Sequence, residues 1–123
     1  MSARSGALAG RSILIVEDEP LIALEVHAAF HAAGASIISA ADSKEAVRMI
    51  DLPDLSAAVV DIDLGDGDDC SAVCKRLSER GIPFVFYTGN ARADILRQWP
   101  RAPVLTKLAD GQRVVEVVAG VLR

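Results

Sequence analysis

No apolar run in this 123-residue sequence approaches the ~20 residues that a membrane-spanning helix requires. Residues 1–11 are small and polar, with Gly6 and Gly10, and lack the apolar stretch of a signal peptide. They read as a flexible lead, and the protein as cytoplasmic. There is no cationic run or basic patch, and the net charge is −4, which argues against direct contact with nucleic acid. Cysteine is scarce: Cys70 and Cys74 alone, four apart. On a helix they share a face with Val73 and Leu77, so they read as buried thiols of a core stripe, not as a metal or redox pair. Internal repeats, low-complexity segments and interdomain linkers are also missing.

What is present suits one globular domain. Residues are 51% hydrophobic and 24% charged, enough apolar surface for a core and enough charge for a solvated exterior. The pattern alternates between short β-branched runs and longer helical periods. Ser12-Ile13-Leu14-Ile15-Val16 predicts a buried strand. Pro20 then opens a helix with Ile22, Val26, Ala29, Phe30 and Ala33 inward, stopped by Gly34. Residues 35–40 predict a second strand. Asp42 and Glu45 have the layout of a capping box before a second helix, with Ala46, Val47 and Ile50 inward. Residues 57–61 predict a third strand, residues 83–88 a fourth and residues 103–107 a fifth. Helices follow them to about Arg80, over 91–99, and from about Asp110 to Leu122. Five strands alternating with five helices imply a parallel sheet with right-handed crossovers, covered on both faces.

Chemistry collects where these strands end. Glu17 and Asp18 end the first, Asp61 the third, Thr88 the fourth and Lys107 the fifth. In a flavodoxin-like doubly wound α/β sheet of order 2-1-3-4-5, strands one and three meet at the switch point, and ligand sites lie at the carboxyl ends of strands. The five side chains then converge on one edge. Crowded carboxylates resist ionising unless a cation joins them. Hard oxygen ligands suit Mg²⁺. A carboxylate can also act as a nucleophile toward phosphorus, giving an aspartyl phosphate, with a lysine and a hydroxyl to hold the phosphoryl oxygens.

From Ser12 onward the chain resembles the receiver domains of two-component response regulators. The resemblance is carried by Ile13-Leu14-Ile15-Val16-Glu17-Asp18-Glu19-Pro20, Val59-Val60-Asp61-Ile62-Asp63-Leu64, Thr88-Gly89 and Leu105-Thr106-Lys107. It makes residues 12–123 the receiver domain. It implies Asp61 as phosphoacceptor and Mg²⁺ on Asp18, Asp61 and the backbone carbonyl of Asp63, with Glu17 acting through water. Thr88 and Lys107 become the phosphoryl-binding switch, and Asp63 and Asn90 become neighbours that set the dephosphorylation rate. The implied donor is a histidine kinase or phosphotransfer protein, and the implied output is a downstream protein target. Phe86-Tyr87-Thr88-Gly89-Asn90 is similar to the Phe-Ala-Thr-Gly-type subgroup, whose members are often single-domain.

Departures from the family pattern are specific. Leu108 follows the lysine where proline is usual, Val104 replaces a common aromatic, and Gly65 stands where proline is common. Leu21 and Leu24 fall off the inward stripe of the first helix, which in the family helps to dock the kinase. The last helix has a wide apolar arc, including Val115, Val118 and Leu122. Extra core burial is its default use, and a partner face or homodimer contact the sharper one. Glu19 reads as a helix-dipole partner. His27 and His31 lie one turn apart, opposite the inward stripe, and read as solvent-facing.

Two alternatives remain. Asp61-Ile62-Asp63 also fits the Asp-x-Asp nucleophile motif of haloacid-dehalogenase-like phosphatases. That motif normally ends the first strand, and a second acidic metal motif should follow the lysine, where only Asp110 and Glu116 remain. The other alternative is a pseudo-receiver that binds partners without phosphorylation.

Overall fold

The β-branched runs form strands, and the amphipathic stretches between them form helices. The structure is a computed structural model that describes residues 6–123. Its order is β1 (Ser12–Val16), α1 (Pro20–Ala32), β2 (Ser36–Ala40), α2 (Ser43–Ile50), β3 (Ala57–Val60), α3 (Ser71–Glu79), β4 (Phe84–Thr88), α4 (Ala93–Leu96), β5 (Val104–Thr106) and α5 (Gly111–Val121). All pairings are parallel and the sheet order is β2-β1-β3-β4-β5. This is the flavodoxin-like doubly wound architecture that the alternating pattern implies.

Strand residues alternate between two cores, because successive side chains leave a strand on opposite faces. Leu14, Val16, Ala58, Val60 and Phe86 pack against Ile50 of α2 and Val73, Cys74 and Leu77 of α3. Ile13, Ile15, Val59, Val85 and Tyr87 pack against Val26 and Phe30 of α1 and Val114 and Val118 of α5. The three central strands, β1, β3 and β4, are buried on both faces, which is why they read as continuous apolar runs, while the edge strands β2 and β5 are partly exposed. Cys70 and Cys74 are free and fully buried, and the hydrogen bond between them, with burial, raises the Cys74 thiol.

Local signals account for the helix ends. Asp42 caps α2 by accepting from the Glu45 N–H at 2.8 Å. Glu45 reaches the N–H of Ala41, one residue beyond the usual capping-box partner. Asp110 caps α5 by accepting from the Arg113 N–H at 2.9 Å. The helix expected over 91–99 shrinks to Ala93–Leu96.

Three expectations change. The lead is not free throughout: Leu8 is buried in the α1/α5-side core, and its N–H donates to the Ala33 carbonyl at 2.9 Å. One apolar side chain fits the corner where α1 turns into β2, and its burial fixes residues 6–11; residues 1–5 lie outside the described residues. Val115 and Val118 are not a partner face. They are buried, and Leu122 packs against the same core. α5 lies against both β4 and α1, so two sides of one helix need apolar residues. Gly111 permits the close approach to α1: a Cβ there would sit 2.8 Å from that of Ala29. Finally, His31 is exposed but His27 is half-buried.

Candidate functional site

The site lies where β1, β3, β4 and β5 end. Backbone bonds carry the register past each strand. Asp61 N–H donates to Val16 O at 3.0 Å, and Lys107 N–H donates to Thr88 O at 3.1 Å. Asp61 is therefore fixed beside Glu17 by sheet geometry, and Lys107 beside Thr88. The four side chains do converge. Lys107 Nζ stands 2.8 Å from Asp61 Oδ2, 2.9 Å from Glu17 Oε1 and 3.6 Å from Glu19 Oε1. Glu17, Asp61 and Thr88 are the buried polar residues of the described chain.

One ammonium among three carboxylates leaves the site short of positive charge. Burial works against the Lys107 cation, but hydrogen bonds to Asp61 and Glu17 outweigh it and raise its pKa. Burial pushes the Glu17 carboxyl up to about 7; the Lys107 hydrogen bond pulls it down and the charge of Asp61 pushes it up again. The two partners do not mirror each other, because Lys107 gains from two carboxylates while Glu17 gains one cation and faces a second buried carboxylate.

A cleft of about 330 Å³ opens over these groups, lined by Asp18, Glu19, Asp61, Asp63, Thr88 and Lys107 among others. Asp61 Oδ1 makes no hydrogen bond, and every wholly buried side-chain oxygen among the described residues has a partner, so Oδ1 opens to solvent. Glu17, Asp18 and Glu19 can bring one carboxylate oxygen each within 4.8 Å of one another. Glu19, expected to serve the helix dipole, stands at the N-cap of α1 without a capping bond and also lies 3.6 Å from Lys107 Nζ. Position alone could not reveal this, since the N-cap residue of a helix points wherever its neighbours allow.

The β3–α3 loop over the cleft is locally built. Gly65 has φ +82°, which proline cannot adopt, and a Cβ there would sit 3.0 Å from Asp18 Oδ2. The departure from proline is thus tied to space beside Asp18. Asp68 pins the loop to α2, accepting from Ser43 N–H at 2.9 Å and Ser43 Oγ–H at 2.6 Å. Across the cleft, Asn90 Nδ2 donates to Asp63 Oδ2 at 3.0 Å. Neither Asp68 nor Arg92, which also meets Asp63 at 3.7 Å, stands out in the sequence.

Leu21, Leu24, Leu108 and Val104 are exposed, Leu108 almost wholly so at 97%. A larger cleft of about 520 Å³, lined by Phe84, Trp99 and Pro100, lies where β4 and β5 begin, away from these carboxylates. No helix is long and apolar enough to cross a membrane among the described residues.

The response regulator receiver domain family matches residues 13–118. Nothing matches among curated proteins. Solved structures do. A receiver domain protein from Methanospirillum hungatei JF-1, described as CheY-like, superposes with TM-score 0.80 at 22% identity, over 91% of this chain and 93% of that one. A response regulator receiver protein from Sinorhizobium medicae WSM419 gives 0.82 at 21%, over 92% and 94%. The response regulator PhyR from Brucella abortus gives 0.79 at 25%, over 98% of this chain but 51% of that one. A match across most of the chain, on a sheet of this order, decides the family: the chain belongs to the response regulator receiver domains.

Proposed function

We propose that the protein is a phosphoacceptor module of two-component signalling, in which Asp61 takes a phosphoryl group from a histidine kinase or phosphotransfer protein. The observation that carries this reading is the buried Asp61 carboxylate, held by Lys107 at 2.8 Å through Oδ2 with Oδ1 open to the cleft. Oδ1 bonds to phosphorus while the bond from phosphorus to the donor breaks, its electron pair leaving with the donor. Lys107 keeps its proton throughout and exchanges part of its contact with Asp61 for the phosphoryl oxygens. Thr88 supplies a hydroxyl donor from the other side.

The donor set fits Mg²⁺: Asp18 and Asp61 directly, the Asp63 backbone carbonyl, and Glu17 through water. When bound, the metal would neutralise charge that one lysine leaves uncompensated. Added charge on Asp61 then biases the β4–α4 and β5–α5 loops between two arrangements, and a protein target reads the difference. Leu21 and Leu24 on α1 and Leu108 beyond β5 are exposed apolar residues suited to a helical partner at this edge.

The phosphatase reading loses its remaining acids. Asp110 caps α5, and Glu116 sits on that helix beside Arg113 at 3.5 Å. Neither lines the cleft around Asp61.

Intact-mass spectrometry after incubation with Mg²⁺ and acetyl phosphate tests the proposal. One phosphoryl adduct is expected in the wild type, and none without Mg²⁺ or in Asp61→Asn. An adduct that survives in Asp61→Asn sinks the assignment of Asp61.

A further inference from the structure

The rim of the cleft holds a second ionic cluster that phosphoryl transfer does not itself use. Arg92 stands at the N-cap of α4, where its side chain makes no capping bond. Its guanidinium reaches Asp94 in the first turn of α4 at 2.8 Å, and on the β3–α3 loop Asp69 at 3.2 Å and Asp63 at 3.7 Å. Asn90, two residues earlier, donates to Asp63 from the same side. The β4–α4 loop is thereby tied at two points to the β3–α3 loop. α4 is a helix of four residues, with few backbone bonds to place it, so its position depends on such ties.

These ties bear on Thr88. Its hydroxyl accepts from the Asn90 N–H at 3.1 Å and donates to the Asn90 carbonyl at 3.3 Å. A hydroxyl has one proton to donate. To offer it to a phosphoryl oxygen on Asp61, Thr88 must release the Asn90 carbonyl, which removes one hold on the loop that Arg92 and Asn90 tie down.

We propose that Arg92 is a positioning residue: it clamps the β4–α4 loop to Asp69 and Asp63, holds the Thr88–Asn90 turn in its resting arrangement, and opens when Asp61 is phosphorylated. The proposal rests on the receiver reading above and adds its regulation. The clamp keeps the unphosphorylated form off, and loosening it makes the inward position of Thr88 easier to reach.

Arg92 and Asp69 have opposite charges, which supplies the test. Arg92→Ala and Asp69→Asn both weaken the shorter Arg92–Asp69 arm of the clamp while changing the charge beside the cleft in opposite directions. Asparagine retains an acceptor for the Ser71 N–H that Asp69 now holds at 2.9 Å, so the start of α3 is kept. Amide hydrogen exchange at residues 89–92, measured without metal or phosphodonor, is expected to quicken about fivefold in both variants. The initial rate of adduct formation from acetyl phosphate with Mg²⁺ is expected to rise in both by a similar factor. Unchanged exchange in either variant overturns the clamp. Rates that move in opposite directions overturn it in favour of a charge effect, and faster exchange without faster transfer overturns the coupling. A wild type that forms no adduct is a separate failure, of the receiver reading, and the exchange measurement still decides the clamp.

Discussion

Lys107 and Arg92 each gather three carboxylates at the carboxyl edge of the sheet, yet they sit in different media. The Lys107 side chain is 15% exposed and its partners Glu17 and Asp61 are 3% and 6% exposed. The Arg92 side chain is 35% exposed, and Asp63 and Asp69 are 46% and 29% exposed. Both arginine and aspartate there respond in direction as paired ions should: hydrogen bonding to Asp94 raises Arg92, and a backbone bond from Ser71, with Arg92 adding to it, lowers Asp69. The buried floor behaves otherwise, since Glu17 rises although a cation touches it. Water makes rim contacts cheap to form and cheap to lose, whereas the floor holds charge in tension. That suits the proposed division between a floor for phosphoryl transfer and a rim that biases a loop.

The sharpest way to break the comparison is to empty the floor of its cation. Lys107→Ala leaves Glu17 and Asp61 buried side by side. It should cost about 2 kcal/mol or more of stability at pH 8 without metal, discounted from a fully buried pair because the lysine is partly exposed. The cost should shrink at pH 5, where a carboxyl takes up a proton instead. Urea denaturation at both pH values measures it. A cost equal at the two would mean that Lys107 acts by packing and not by charge.

Glu17→Gln probes the same floor from its anion. The folded-state pKa of Glu17 is about 7, above its ordinary value of 4.5. Below pH 4.5 both folded and unfolded forms are protonated, so nothing is lost. Between about 4.5 and 7 the unfolded chain ionises first, and metal-free stability falls as pH rises. Above 7 the loss is complete. Glutamine removes this dependence, so the variant should gain about 1–2 kcal/mol on the wild type between pH 5 and pH 8. Mg²⁺ should stabilise the wild type more at pH 8 than at pH 5. A wild type whose metal-free stability is flat across this window contradicts the assignment.

Sequence showed the floor, and of the rim only Asp63 and Asn90, for one physical reason. Floor residues stand at the ends of β-branched runs, and sheet register then fixes where they meet, so Asp61, Thr88 and Lys107 are legible from strand order alone. The whole sheet follows from the same alternation. Arg92, Asp63 and Asp69 lie outside the helices and strands, where partners depend on tertiary approach. Arg92, two residues from Asp94, reads as an ordinary surface charge until the β3–α3 loop is brought beside it. Leu8 misled, and Val115 left core burial and a partner face both open, for a related reason. A lone leucine among small residues carries no periodicity, and a helix packed on two neighbours looks like one with a spare face.

Salt separates the two clusters at the smallest expected effect. Arg92→Ala should lower the melting midpoint by only a small fraction of what Lys107→Ala does, because exposed pairs contribute little and their partners regain water. The residual difference should vanish by about 0.5 M NaCl, where the screening length falls below the span of the cluster. The Lys107→Ala effect should persist there, since mobile monovalent ions screen little between carboxylates that are 3% and 6% exposed. A salt-sensitive Lys107 or a salt-insensitive Arg92 would reverse the assignment of floor and rim. The loop clamp would then be a structural brace, stable enough to resist the phosphoryl group and not to yield to it.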